Sequence, residues 1–235
     1  MSEPNSMQQM ALGMWLRESA TFDNYVLAEN ALAVEAVRQA CAGGAERFVY
    51  LWGGDGVGKS HLMQAACHSM TAQAASAVYL PLAEPGLAPE ILDGLEQVAL
   101  VAVDNLDAIV GQRAWETALF HLYNRMRDQG HGVLLFASSH PLASLEISLP
   151  DLLSRLAWGL VFQLHTLSDA DKLAALRQRA DQRGFELSEE VGRYLLRHYQ
   201  RDMSALFELL TTLDQRSLAE QRRLTIPFVK EIIGN

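Results

Sequence analysis

Short apolar runs alternate with helical patterns along the first 167 residues of the chain. Runs rich in β-branched and aromatic residues predict strands at residues 47–51, 77–80, 98–103, 132–137 and 160–164. Apolar residues at helical spacing predict helices at residues 25–41, 61–72 and 113–129. Because most of the strand runs are apolar throughout, we expect a largely parallel sheet that is covered by helices on both faces. The pattern therefore predicts a doubly wound α/β domain.

After residue 167 the pattern is helical only. Ser168 and Ser188 precede acidic residues and mark helix starts, since a hydroxyl can accept hydrogen bonds from the free N–H groups of a first turn. Gly184 indicates a helix end, and Pro227 suits the first turn of the last helix. We therefore predict a small helical domain over residues 168–235.

The chain length of 235 residues fits one α/β domain, predicted over residues 21–167, with the helical domain as an appendage. Apolar residues make up 49% of the chain and charged residues 20%, which indicates a sizeable core and argues against global disorder. Residues 1–20 lack sustained periodicity and are expected to form a mobile tail. The apolar patch at residues 10–16 of this tail suggests that it binds a partner.

The charge distribution excludes one broad class of function. A formal charge of −9 opposes a nonspecific grip on nucleic acid, which needs clustered Lys and Arg. A local basic patch stays open as an alternative, because eleven of the 19 Lys and Arg residues lie within residues 172–230 and none within 61–112.

Cysteine usage and hydropathy indicate a cytoplasmic protein. Cys41 and Cys67, the two cysteines of the chain, both lie in Ala-rich helical patterns, which favours reduced thiols over a disulfide or a metal site. No apolar run approaches the length that spans a bilayer, and the N-terminus lacks the pattern of a signal peptide. We therefore expect no membrane association.

A glycine-rich segment follows the first predicted strand and precedes a predicted helix. It matches the pattern G-x-x-x-x-G-K-[ST] with Gly53, Gly54, Asp55, Gly56, Val57, Gly58, Lys59 and Ser60. Glycines let consecutive backbone N–H groups point into one concavity, and the following helix adds its positive end, so we expect this P-loop to bind the phosphates of ADP or ATP. Lys59 is predicted to contact the β- and γ-phosphates, and Ser60 to bind Mg²⁺. The alternative, a glycine-rich turn without a ligand, is disfavoured by the flanking strand and helix.

A carboxylate at the end of a neighbouring strand would complete the metal site. Asp104 follows the third predicted strand and is expected to face Mg²⁺, whereas alone it would be interpreted as a solvated strand-end residue. Asn105 comes next, and its amide cannot accept a proton from water, so we expect slow intrinsic hydrolysis. His61, directly after the loop, is expected to pack near the nucleotide, and the other six histidines show no metal-ligand spacing.

Three segments resemble the AAA+ module of the DnaA family of bacterial replication initiators. They are Thr-Phe-Asp-Asn-Tyr-Val at residues 21–26, Gly-Lys-Ser-His-Leu at 58–62 and Ser-Arg-Leu-Ala-Trp-Gly at 154–159. The resemblance extends from about residue 21 to the C-terminus. It implies an AAA+ P-loop domain followed by a helical lid.

The resemblance also implies roles for single residues. Tyr25 and Val26 would cradle the adenine, Ser139 after the fourth strand would be sensor 1, and Arg201 at the start of a lid helix would be sensor 2. Arg155 would be the arginine finger, which in this family points into the nucleotide of a neighbouring subunit. For the serine and the two arginines, an ordinary surface polar residue is the alternative.

Two departures from the initiators change the expected function. The chain ends at Asn235 soon after the predicted lid, without the helix-turn-helix domain that reads duplex DNA in the family. The 17 residues between Leu80 and Val98 include none that is basic, so the basic insertion that grips single-stranded DNA is missing as well. We therefore expect no direct sequence-specific DNA binding and a closer resemblance to DnaA-homologous regulators, which share the Asp-Asn pair.

These regulators use a short N-terminal motif to bind the sliding clamp of the replicative polymerase. Gln9, Met10, Leu12 and Met14 are similar to that motif. Leu12 and Met14 would fill an apolar pocket, while the Gln9 amide forms hydrogen bonds. The alternative is an unstructured apolar tail.

The resemblance predicts a negative regulator of DNA replication initiation. Tethered to the DNA-loaded clamp, it would use Arg155 to stimulate ATP hydrolysis by DnaA. Two alternatives stay open: a stand-alone ATPase or helicase loader, which Asn105 disfavours, and a structural nucleotide-binding adaptor in which Arg155 forms only a self-association contact. Head-to-tail pairing of AAA+ modules would also allow a homodimer.

Overall fold

The computed structural model describes residues 20–199 and 202–234. The chain divides into two compact units, one that ends at His165 and one that begins at Thr166. The first unit combines a sheet with helices, and the second is helical. The predicted α/β class with an appended helical domain is therefore confirmed. In the described part of the chain, no helix has the length and apolar character needed to cross a membrane.

A parallel sheet forms the centre of the first unit. In chain order its strands are β1 (Phe48–Trp52), β2 (Ala77–Pro81), β3 (Leu100–Asp104), β4 (Val133–Ser138) and β5 (Leu160–Gln163). Their order across the sheet is β2-β3-β4-β1-β5, and every neighbouring pair is parallel. Parallel neighbours need crossover connections, which is why helices cover the sheet.

Helices pack on both faces of this sheet. In the described part of the unit they are α1 (Ala31–Cys41), α2 (Lys59–Ala72), α3 (Arg113–Gln129) and α4 (Pro150–Leu156). Short 3₁₀ turns lie at Phe22–Asn24, Ala28–Asn30, Pro89–Leu92, Leu95–Gln97, Leu106–Ile109 and Leu142–Ser144. Helices α1 and α2 share one buried cluster with Leu135 of β4, and α3 and α4 share another with Phe136, the next residue. Successive side chains of a strand point to opposite faces, so each helix pair covers its own face.

The register of the sheet brings the ends of four strands to one edge. Trp52 at the end of β1 pairs with Ser138 at the end of β4, and Pro81 at the end of β2 pairs with Asp104 at the end of β3. Val103 pairs with Phe136, which places β3 directly beside β4. The loop after β1 therefore leaves the sheet beside Ser138, and Asp104 lies at the same edge, one strand further across.

One predicted helix begins later than the sequence pattern indicated. The pattern placed its start at Tyr25, whereas α1 begins at Ala31 after two 3₁₀ turns. Tyr25 has extended backbone angles and is buried against the loop after β1. Tyr25 therefore fits the helical spacing of apolar residues only by position, because its contact with the loop after β1 determines its conformation.

The second unit contains α5 (Asp169–Gln182), α6 (Glu189–His198), α7 (Met203–Glu220) and α8 (Ile226–Ile233). The Ser168 hydroxyl accepts a hydrogen bond from the Asp171 N–H at 3.1 Å, and the Ser188 hydroxyl accepts one from the Val191 N–H at 3.3 Å. Both predicted caps are thus confirmed. The core of the unit is made of apolar side chains from these helices, among them Leu176, Leu195, Leu206, Leu210, Leu213 and Val229.

Candidate functional site

The loop between β1 and α2 depends on glycine at two positions for different reasons. A Cβ atom at Gly53 would lie 2.5 Å from the Leu164 carbonyl oxygen, so only glycine allows this close backbone approach. Gly58 has a φ of 97° and caps α2, and a Cβ there would lie 2.9 Å from the Tyr25 hydroxyl. Gly56 also has a positive φ, and no atom lies within 4 Å of the place of its Cβ. The loop surface is therefore open at Gly56, and the start of α2 lies next to it.

Lys59 is buried at the first position of α2, with 7% of its surface exposed. Its ammonium group donates hydrogen bonds to the carbonyl oxygens of Gly53 at 2.6 Å and Gly54 at 2.8 Å. Among the described residues, no carboxylate lies within ion-pair distance of it. A nearly buried positive charge without an anionic partner favours an anion beside the loop.

Asp104 is fully buried at the end of β3, and both of its carboxylate oxygens are hydrogen-bonded. Oδ1 accepts the Asn105 N–H at 2.8 Å, and Oδ2 accepts the Tyr79 hydroxyl at 2.6 Å. Burial, and then the negative charge of Asp104, raise the pKa of Tyr79, while the neighbouring Ser60 and Gln64 of α2 act in the opposite direction. The hydroxyl therefore stays protonated, and the phenol group lies between Asp104 and α2.

Asn105 has a left-handed backbone conformation with a φ of 56°. Asparagine tolerates this conformation better than most residues with a side chain. Asn105 is therefore suited to the turn that follows β3. Its amide also lacks the basicity of a carboxylate.

Ser139, the predicted sensor 1, lies directly after β4. Its N–H donates to Asp107 Oδ1 at 2.9 Å, and the side chain of the buried Ser138 lies beside the same carboxylate. Burial alone would raise the pKa of Asp107, but the polar contacts with Ser139 and Ser138 outweigh it and hold the pKa below the ordinary value of 3.8. An ionised Asp107 therefore fixes the backbone at the end of β4.

The segment that the resemblance assigns to the adenine lies against the P-loop. The Tyr25 hydroxyl is 3.4 Å from the Val57 carbonyl oxygen, and the Tyr25 ring meets the His61 ring edge-on at 5.3 Å. His61 Nε2 lies 3.0 Å from the Thr21 carbonyl oxygen and 2.9 Å from Asn24 Oδ1. Val26, which follows Tyr25, is half-buried. His61 thus ties this segment to α2.

Arg155 lies in the last turn of α4, on a different part of the unit surface. Its Nε donates to Asn124 Oδ1 at 3.1 Å, and its guanidinium carbon lies 4.0 Å from the centre of the Trp158 ring. Trp158 is 59% exposed. The guanidinium is therefore held in one orientation between a hydrogen bond and an exposed aromatic face.

Glu116 of α3 organises the entry to α4. This fully buried carboxylate accepts hydrogen bonds from the backbone N–H groups of Gly111 at 2.8 Å, Ser148 at 3.0 Å and Leu149 at 2.9 Å, and from the Ser148 hydroxyl. Helix α4 begins one residue after Leu149. Glu116 therefore fixes the backbone that leads into the helix of Arg155.

Sequence reasoning missed Tyr79, Asp107 and Glu116, although each holds part of the site. Their partners lie 25, 32 and 32 positions away along the chain. Alternation within β2 places Tyr79 and Pro81 on the same face of the sheet. Only the register, which pairs Pro81 with Asp104 of β3, shows that Asp104 lies on this face as well.

Five predicted site residues lie outside the described part of the chain. They are Gln9, Met10, Leu12 and Met14 of the tail, and Arg201 of the lid. Asp202, next to Arg201, caps α7 by accepting a hydrogen bond from the Ala205 N–H at 3.0 Å.

The donors at the carboxyl edge suit a Mg²⁺–nucleotide rather than an all-protein metal site. Within residues 20–199 and 202–234, no three His, Cys, Asp or Glu side chains converge on one point. Mg²⁺ commonly takes one or two protein oxygens and completes its shell with phosphate and water, and Ser60 and Asp104 offer such oxygens. The open loop, the buried Lys59 ammonium group and the Asp104 carboxylate therefore fit the Mg²⁺–nucleotide that the sequence predicts.

Comparisons with known proteins place this geometry in a family. The family model for the Hda lid domain matches residues 169–233, and the model for the bacterial DnaA ATPase domain matches residues 16–84. Domain III of the replication initiation protein DnaA from Thermotoga maritima is similar with a TM-score of 0.73 and 21% identity, over 93% of this chain and 97% of that chain.

Two further structures share the fold. AMPPCP-bound DnaA from Aquifex aeolicus has a TM-score of 0.71 and 22% identity, over 85% of this chain and 66% of that chain. The RuvB Holliday junction branch migration motor of Thermotoga maritima has a TM-score of 0.63 and 15% identity, over 90% of this chain and 70% of that chain. At such identities these likenesses speak for the AAA+ fold alone. Together with the two family matches, they identify the chain as an Hda-like, DnaA-related AAA+ protein.

Proposed function

We propose that this protein is a negative regulator of DNA replication initiation that stimulates ATP hydrolysis by DnaA. The observation that carries the proposal is the presentation of Arg155 beside the exposed Trp158, in a chain that matches both the Hda lid and the DnaA ATPase models. The protein itself would hold ADP or ATP with Mg²⁺.

The carboxyl edge supplies the groups for that nucleotide. Backbone N–H groups of the open loop and the start of α2 would bind the phosphates, with Lys59 beside them. Ser60 and Asp104 would hold Mg²⁺, which neutralises phosphate charge. The AMPPCP-bound DnaA structure of the same fold supports a nucleotide at this place.

Hydrolysis in this protein's own site is expected to be slow. Asn105 stands where a proton acceptor would activate water, and its amide cannot take that role. Asp107 is turned to the Ser139 N–H. The nucleotide would therefore act mainly by maintaining the shape of the regulator.

The activating step would occur in the site of DnaA. Arg155 would approach the γ-phosphate there and stabilise the charge that develops in the transition state, an effect worth about 10³-fold or more for arginine fingers supplied in trans. The Asn124 hydrogen bond and the Trp158 ring hold the guanidinium before docking, which reduces the entropy lost on docking.

A clamp-binding tail would bring the protein to its partner. The proposed motif consists of Gln9, Met10, Leu12 and Met14, and docking of two apolar anchors in a pocket matches a common mode of peptide recognition. A Gln9→Ala, Leu12→Ala double variant should lose retention by immobilised sliding clamp. Full retention would count against the motif.

The proposal is tested by reconstitution. ATP-bound DnaA, DNA-loaded clamp and this protein should together hydrolyse ATP much faster than any mixture that lacks one of them. A basal turnover of about 1 s⁻¹ or faster by this protein alone would instead indicate a stand-alone ATPase. Absence of any stimulation, with slow basal turnover, would favour a structural adaptor. Sedimentation of the purified protein tests the homodimer.

A further inference from the structure

Tyr79 stands between the two residues proposed to hold Mg²⁺. Strand β2 places Tyr79 and Pro81 on one face, and Pro81 pairs with Asp104 of β3. Helix α2 packs on this face, and Ser60 and Gln64 lie one turn apart on it. The phenol group therefore meets α2 and the end of β3 at once.

The direction of the hydrogen bond between Tyr79 and Asp104 follows from their chemistry. A phenol group has one proton to donate, and a carboxylate can only accept, so the proton goes to Asp104 Oδ2 at 2.6 Å. Ser60 and Gln64 of α2 lie near the same phenol oxygen. The phenol group thus holds Asp104 where the start of α2 faces the end of β3.

We propose that Tyr79 is a positioning residue for the Mg²⁺ of the bound nucleotide, because its hydroxyl orients Asp104, the carboxylate proposed to face the ion. Tyr79 fixes one oxygen of Asp104, while the Asn105 N–H fixes the other. The inference rests on the proposed nucleotide site.

A purely structural tyrosine is the alternative. Tyr79 is 4% exposed and belongs to the cluster between α2 and the sheet, so its ring contributes to the core whatever its hydroxyl does. The two roles differ in what they change. Loss of a core contact alters stability, whereas loss of a positioning hydroxyl alters the dependence of nucleotide binding on Mg²⁺.

The test uses Tyr79→Phe in the full chain, because phenylalanine keeps the ring and removes the hydroxyl. Affinity for AMPPCP is measured by titration calorimetry across a range of Mg²⁺ concentrations and in EDTA. We expect the Mg²⁺ concentration that gives half of the affinity gain to rise about tenfold or more, as is typical when a residue that orients a metal ligand is removed. Affinity in EDTA should change less than about twofold, since the phosphate contacts stay.

Tyr123→Phe is the matched control. Tyr123 is equally buried, at 2% exposure, but lies on the other face and packs against Phe48 at the start of β1, away from the carboxyl edge. Its Mg²⁺ profile should equal that of the wild type.

Failure of the inference and failure of the proposed function are distinguishable. If wild-type protein does not bind AMPPCP, the nucleotide site itself is wrong. If wild type shows Mg²⁺-dependent binding and Tyr79→Phe shows the same profile, only the role of Tyr79 is wrong. Should Tyr79→Phe fail to fold, Gln64→Met changes a polar neighbour of the same phenol oxygen, and its Mg²⁺ midpoint should rise at least about twofold; an unchanged midpoint would overturn the proposal.

Discussion

Removal of the negative charge of Glu116 is predicted to destabilise the α/β unit. Oε1 accepts the N–H groups of Gly111 and Ser148, and Oε2 accepts the Leu149 N–H and the Ser148 hydroxyl. In Glu116→Gln the amide oxygen can replace only one of these oxygens. The amide NH₂ then faces the Leu149 N–H, so one buried donor loses its acceptor, at a cost of about 2 kcal/mol.

Glu116→Ala removes all the acceptors and should cost more, about 3–5 kcal/mol, because several buried N–H groups lose their partner. Urea unfolding followed by tryptophan fluorescence measures the effect. All four tryptophans precede residue 166, so the signal reports on the α/β unit. An effect of Glu116→Gln smaller than about 0.5 kcal/mol, the size of an ordinary surface substitution, would show that the Glu116 carboxylate does not stabilise the fold.

The pH dependence provides an independent check on the same residue. Burial raises the pKa of Glu116, but hydrogen bonds from Ser148, Gly111 and Leu149 outweigh it and hold the pKa below the ordinary value of 4.5. A carboxylate with a lowered pKa stabilises the fold above its unfolded-state pKa, and this stabilisation is lost as the pH falls through the folded-state value. The stability difference between wild type and Glu116→Gln should therefore be constant near neutral pH and shrink below about pH 4.5.

The local geometry at Gly58, His61 and Ser168 predicts the effect of substitutions there. Gly58→Ala should lower the free energy of unfolding by at least about 1 kcal/mol, because it forces a side chain into a left-handed conformation against Tyr25. Gly54→Ala is the matched control, since its Cβ would meet no atom within 4 Å. Equal melting temperatures for the two variants would contradict this prediction. His61→Ala should speed hydrogen exchange of the backbone amides in residues 21–25, which lose their tie to α2, and unchanged protection would show that other contacts hold them. Ser168→Ala should destabilise the lid by about 1 kcal/mol through loss of the α5 cap, measured by urea unfolding monitored by circular dichroism.

Features that depend on neighbouring residues could be predicted from the sequence. The P-loop pattern, the buried strand that ends at Asp104 and the caps at Ser168 and Ser188 are all contained in segments of a few residues. Each is a case in which local chemistry determines the structure, since glycine conformation, strand burial and hydroxyl capping need no distant partner.

Features that depend on distant pairing could not be predicted in this way. The bonds of Tyr79 to Asp104 and of Glu116 to Ser148 exist only after the sheet register and the helix packing are set. The start of α1 could not be predicted for the same reason. Tyr25 has an extended backbone and contacts Gly58 of the P-loop, and this contact depends on the folded structure. The roles of the tail motif and of Arg201 stay predictions.

The most direct test of the proposed function is the effect of Arg155→Ala on ATP hydrolysis by DnaA, with DNA-loaded clamp present. Arg127→Ala is the matched control, because Arg127 also lies over the Trp158 ring, at 5.7 Å, but pairs with Asp128. Arg155→Ala should lose about 10³-fold in stimulation, while Arg127→Ala should stay near wild type. Wild-type stimulation by Arg155→Ala would show that Arg155 is not the arginine finger.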